Sequence, residues 1–196
     1  MSFETDFYHY RKMIDEALDT VDMGWLSMMK QEIFRLAKYG YPLLVCGNGG
    51  SAAIAEHLSC DHTKGICVDT NLSPFVIALG SNVSLTTAIA NDIGYDEIFA
   101  KQIEWYGNNN ASLLVISSSG NSPNIINALK VAKKQKMASM ALVGFSGGLA
   151  KELAEICVHV KSNNYGIVED CHQIIMHSIA QHIRVENAVD PKTVKL

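Results

Sequence analysis

Leu43-Leu44-Val45-Cys46-Gly47-Asn48-Gly49-Gly50-Ser51 runs from a short apolar segment through a glycine-rich loop into the helical pattern Ala52-Ala53-Ile54-Ala55-Glu56-His57-Leu58. An apolar run this short reads as a strand buried on both faces, and the small residues after it allow a tight turn into a helix. A second junction has the same chemistry. Leu114-Val115-Ile116-Ser117-Ser118-Ser119-Gly120-Asn121-Ser122 leads into Pro123 and another helical stretch. In both, backbone N–H groups and hydroxyls converge on a helix start, where unpaired donors and positive dipole suit a phosphate monoester. Pro123 fits the first helical position, where a missing N–H costs little. Neither loop is a Walker A, since no GK[ST] follows. The first has Ala52 at the third position of GxGxxG, and the acids near the required distance, Asp61 and Asp69, precede the next strand. No nucleotide cofactor is expected.

Outward from these loops the pattern repeats. Apolar runs at Tyr41 to Cys46, Pro74 to Leu79, Ser112 to Ile116, Met137 to Val143 and Ile156 to Val160 alternate with helical stretches. The helices begin near Ser51, Asn82, Asn121, Gly147 and Tyr165. This predicts an α/β fold with a mostly parallel sheet covered on both faces, its ligand at the carboxyl ends of the strands. Residues 1–40 read as an N-terminal helical segment, with possible breaks near Thr20 and Gly24, that covers the core or packs on another subunit. Residues 41–186 form the α/β core and 187–196 a loose tail containing Pro191, all within one domain of 196 residues.

Composition narrows the function. Lys and Arg number 16 against 20 Asp and Glu, a formal charge of −4, so a nucleic-acid partner is not expected. No apolar run is long enough to span a membrane, and the charged N-terminus does not read as a signal peptide. Five cysteines without a CxxC pair read as reduced thiols, which places the chain in the cytoplasm.

CGNGGSAAIAEHL, AIANDIGYDEIFAKQI, SSSGNSPNII and EDCHQIIMH together resemble the sugar isomerase (SIS) domain family, in order from about Met23 to Ile183. More narrowly they are similar to the phosphoheptose isomerase group. The resemblance implies a three-layer αβα sandwich assembled as a homotetramer, with the N-terminal helices in the assembly core and active sites at subunit interfaces. It implies that Ser51, Ser117, Ser119 and Ser122 hold a sugar phosphate, while Asn48, Gly49, Gly50 and Ser118 shape the same loops. Asp92 matches a position near the substrate hydroxyls, or it caps a turn. The activity implied is aldose–ketose isomerisation of sedoheptulose 7-phosphate for activated heptose in surface polysaccharide.

Such a reaction needs a base for the proton beside the carbonyl and an acid or metal for the enediolate oxygen. His57 and Asp61, four apart, share a helix face. Glu169, Gln173 and His177 fall on one arc of a later helix, with His172 turned away from His177. The resemblance places Asp61 and His177 in the acid–base positions, without assigning which is the base. It also offers zinc, one per subunit, a ligand set of His57, Asp61, Glu169 and His177. Three positions depart from the family pattern: Asp61 and Glu169 replace the commoner Glu and Gln, and Lys64 stands in for an Arg nearby. They leave open another phosphosugar as substrate. A non-catalytic adaptor or sensor of the same fold is the other alternative, which the acid–base set disfavours. His9, His62, His159, His172 and His182 are expected to be packing or surface residues.

Overall fold

The computed structural model describes residues 2–192 and Val194. Two helices open the chain, α1 (Phe3–Leu18) and α2 (Met23–Tyr39). Between them Asp22 caps α2, its carboxylate accepting from the Gly24 and Trp25 amides, which places the break between the two positions expected. Gly40, at φ 67°, ends α2 in the left-handed conformation and releases the chain into the sheet.

The core is a βα series: β1 (Pro42–Gly47), α3 (Gly50–Cys60), β2 (Phe75–Ala78), α4 (Val83–Asp92), α5 (Ala100–Tyr106), β3 (Ser112–Ser117), α6 (Pro123–Lys134), β4 (Ala138–Val143), α7 (Gly148–Leu153), β5 (Ile156–His159) and α8 (Tyr165–Glu186). All strand pairs are parallel and the order is β2-β1-β3-β4-β5. Side chains alternate between two cores. Leu43, Val45, Leu114, Ile116, Met140 and Leu142 face α1, α2, α3 and α8. Leu44, Cys46, Leu113, Val115, Ala141 and Val143 face the other helices. Period-two alternation with both faces buried is why the strands read as continuous apolar runs. The α/β sandwich is therefore as expected, with α5 an element the apolar pattern did not separate.

The strand order reverses at β1. Connections from β1 and β3 leave in opposite directions, so the crevice beyond their carboxyl ends is the topological switch point. The two glycine- and serine-rich loops are the ones that flank it.

Two details correct the sequence reading. α3 does not simply end: at Asp61–Gly65 the chain continues as a π-helical turn. The tail from Asn187 is not loose where it is described, because Ala188 bridges Thr70, Val189 donates its amide to the Asp69 carbonyl and Val194 is buried. Thr193, Lys195 and Leu196 of that tail lie outside the described residues. Among the described residues, no helix is long and apolar enough to cross a membrane.

Candidate active site

A cavity of about 150 Å³ sits over the switch point, lined by Asn48, Ser51, Ile116, Ser117, Ser118, Ser119, Ser122, Tyr165 and Glu169. Three helices begin at its wall: α3 next to Ser51, α6 at Ser122 and α8 at Tyr165. Three positive dipole ends around one small polar space suit an anion.

The local chemistry of the loops leaves donors free. Ser122 occupies the N-cap of α6 yet makes no capping bond, so its hydroxyl is available. The Ser117 and Ser119 hydroxyls accept from the Gly120 and Asn121 amides and retain their own protons as donors. The Ser118 hydroxyl is buried with no protein partner. Asn48 is locked by a reciprocal amide pair with Asn124, 2.9 Å each way, and by the Tyr95 hydroxyl at 3.2 Å. Neither Asn124 nor Tyr95 was singled out from sequence; both sit far from the loop in the chain, where no local pattern marks them.

Glycine is required twice in the first loop. Gly49 has φ 54°, a left-handed conformation. At Gly50 a Cβ would stand 2.6 Å from the Glu169 Cδ and Oε1, so the Glu169 carboxylate occupies the space a side chain would fill. Glu169 thus lies at the start of α3, in the anion cavity.

Farther along α3 and α8 a second group converges. The Asp61 Oδ2 lies 3.2 Å from His57 Nε2 and 3.0 Å from His177 Nε2, and the two imidazole nitrogens are 3.2 Å apart. Gln173, one turn earlier on α8, reaches His177 Nε2 at 3.2 Å. All three members are at least a third exposed. Asp61 and His177 border a second cavity of about 370 Å³ that also exposes Lys64, Gln181 and Arg184. These three are the described residues whose ligand atoms meet as a metal group. The expected fourth ligand, Glu169, is not among them: it shares an arc with His177 but sits two turns away along the axis, about 12 Å by helical rise.

Asp92 joins neither group. It ends α4 exposed, its Oδ1 taking the Asn91 side-chain amide. Two histidines read as packing are buried. His172 faces the core, as its angular offset from His177 implied, and burial pushes its pKa down to about 4. His62, in the π-helical turn, has its Nε2 2.9 Å from the Met176 carbonyl and is likewise pushed down to about 4 by burial.

A parallel sheet of this order, with a serine-lined anion cavity and a His–Asp–His cluster farther along one helix pair, matches a known profile. The SIS domain profile covers residues 9–144. The chain belongs to the SIS domain family. Within that family its relatives are named phosphoheptose isomerases. That of Pelodictyon phaeoclathratiforme is 45% identical over 171 residues, 86% of this chain and 81% of the relative. That of Nitratidesulfovibrio vulgaris is 39% identical over 157 residues, 79% and 74% of the two chains. The solved phosphoheptose isomerase of Neisseria gonorrhoeae superposes with a TM-score of 0.83 at 28% identity, covering 92% of this chain and 95% of that one. This SIS domain is therefore an isomerase of the phosphoheptose isomerase group.

Proposed function

We propose that the chain interconverts D-sedoheptulose 7-phosphate and D-glycero-D-manno-heptose 7-phosphate through an enediol, supplying activated heptose for surface polysaccharide. The observation that carries this reading is the placement of an anion cavity and a His–Asp–His cluster at two heights of the same helix pair. From Glu169 to His177, α8 rises about 12 Å. An extended chain gains about 1.2 Å per bond, so the roughly eight bonds from C1 to phosphorus of a heptose 7-phosphate span about 10 Å. Side chains reaching in from both ends close the difference, whereas a triose phosphate would leave its carbonyl short of the histidines.

In this reading Ser51, Ser117, Ser119 and Ser122 hold the phosphate with the amides of the three helix starts, in loops shaped by Asn48, Gly49, Gly50 and Ser118. Glu169 meets the hydroxyls near the phosphate. Asp61 and His177 exchange protons with C1, C2 and their oxygens. The proton leaves C1 of the ketose and one returns to C2. His57, against the same Asp61 oxygen, holds that carboxylate in orientation.

The donor set also fits a divalent cation. Ligands around zinc at about 2.0 Å stand about 3.3 Å apart in a tetrahedron, close to the mutual distances of the two imidazole nitrogens and the carboxylate oxygen. His57, Asp61 and His177 would hold one zinc per subunit. The chemistry such an ion supplies is Lewis-acid polarisation of the carbonyl.

The exposed Phe3, Phe7, Met23 and Met28 on α1 and α2 support assembly as a homotetramer through these helices. Five free cysteines, two of them exposed, support a reducing compartment, the cytoplasm. The deciding experiment is incubation with sedoheptulose 7-phosphate in deuterated water, followed by NMR, on chelated and zinc-loaded protein. Aldoheptose 7-phosphate carrying deuterium at C2 is the expected product. Binding without conversion or exchange in either sample would overturn the assignment.

A further inference from the structure

His62 follows Asp61 in the π-helical turn and is completely buried, lining one small space with Ile33, Leu36, Leu43, Ile66 and Val76. Its Nε2 stands 2.9 Å from the carbonyl oxygen of Met176, the residue immediately before His177. A carbonyl can only accept, so the ring proton is on Nε2 and the imidazole donates. Nδ1 is buried with no partner. The bond therefore links the chain neighbours of Asp61 and His177, the two side chains that meet at 3.0 Å from different helices. Besides that contact, it is the side-chain hydrogen bond that joins the Asp61–Gly65 turn to α8 among the described residues.

We propose that His62 is a positioning residue: its bond to the Met176 carbonyl holds the Asp61 turn against α8 at the height where a carboxylate as short as aspartate reaches both His57 and His177. Two observations lead here. Packing does not call for an imidazole, because the surroundings are apolar and a leucine would fill them without burying an unpartnered nitrogen. The Met176 carbonyl does not call for one either, because it lies inside α8, where the backbone amide four residues on serves it. What the bond does is fix the spacing of two elements. Asp61 has little freedom to make up for a change in that spacing: a separation wider by about 1 Å takes a 3.0 Å contact outside hydrogen-bonding range, and displacements of that size lower turnover by up to about a hundredfold.

The inference rests on the proposed roles of Asp61 and His177, and its test separates the two. His62→Leu removes the donor and keeps the apolar fill. His62→Gln keeps an amide N–H within reach of the same carbonyl. Each is compared with the unaltered protein in kcat and KM for sedoheptulose 7-phosphate, in Co²⁺ titration followed by its visible absorption, and in Tm. For His62→Leu the expected result is a kcat lower by tenfold or more, a KM within about twofold, and Co²⁺ affinity lower by roughly tenfold. His62→Gln should recover most of each loss, with the Tm values of the two variants alike. Unchanged kcat and Co²⁺ affinity in His62→Leu would overturn the proposal. So would a glutamine variant no better than leucine, with activity tracking Tm, since that is a packing role. If the unaltered protein has no turnover, the isomerase assignment fails instead, and the Co²⁺ comparison still decides the role of His62.

Discussion

The Asp61 carboxylate and the His177 imidazole meet at 3.0 Å although one ends α3 and the other sits in the middle of α8. With His57 on the same oxygen, the three groups form a cluster that neither helix makes alone. Asp61→Asn keeps the shape and removes the charge. We expect its kcat to fall by about 10²- to 10⁴-fold, the range for loss of a general acid or base, with KM changed little. Steady-state kinetics checks this, and a near-normal kcat would place the proton transfer elsewhere.

Ser122 stands at an N-cap without capping, so Ser122→Ala should not cost the stability that capping serines normally provide. It should instead raise KM for the sugar phosphate and weaken competition by inorganic phosphate. A lost hydrogen bond to a charged group, about 1.5–3 kcal/mol, corresponds to roughly 10- to 100-fold. Inhibition constants and melting curves measured together distinguish the two roles.

Glu169 puts a carboxylate beside the space proposed for a phosphate dianion. Glu169→Gln keeps the volume and removes the like charge, so inorganic phosphate should bind several-fold more tightly, which calorimetry would read directly. Weaker phosphate binding would mean that this carboxylate supports the anion site.

Zinc or Co²⁺ should bind at one ion per chain and be lost in His57→Ala, while Glu169→Ala should retain most of the affinity because Glu169 lies outside the cluster. Metal analysis after gel filtration gives both stoichiometries. Equal loss in the two variants would restore the four-ligand set.

His172 supplies a pH dependence of stability. Burial lowers its pKa to about 4 from an ordinary value of 6.5, so the unfolded chain takes up a proton that the folded chain refuses. The resulting stability is complete above about pH 6.5 and declines as pH falls toward 4, by about 3 kcal/mol. In urea titrations at pH 7 and pH 4.5, His172→Phe should show a smaller difference between the two pH values than the unaltered chain, whatever its absolute stability.

The fold was legible because burial on both faces makes the central strands β1, β3 and β4 apolar runs, and because Gly49 and Ser122 mark strand-to-helix turns by residue type alone. The site was legible only in part. Helical angle put Glu169 and His177 on one arc, but angle says nothing of height, and eight residues of rise send one carboxylate to the serine-lined cavity. The π-helical turn at Asp61 has no pattern of its own in DHTKG, since it is set by what packs against it. His62 and Asn124 act through partners more than 70 positions away, which no local spacing encodes.

α3 and α8 both start at the anion cavity and both carry members of the cluster, so under the proposed function the handle of the substrate and its reacting carbon would be gripped by the same two rods. A force exerted by the phosphate on the helix starts would then be passed along α3 to His57 and along α8 to His177. Sedoheptulose without its phosphate should then suffer in turnover as well as in affinity, because the far end of the sugar helps align the near end.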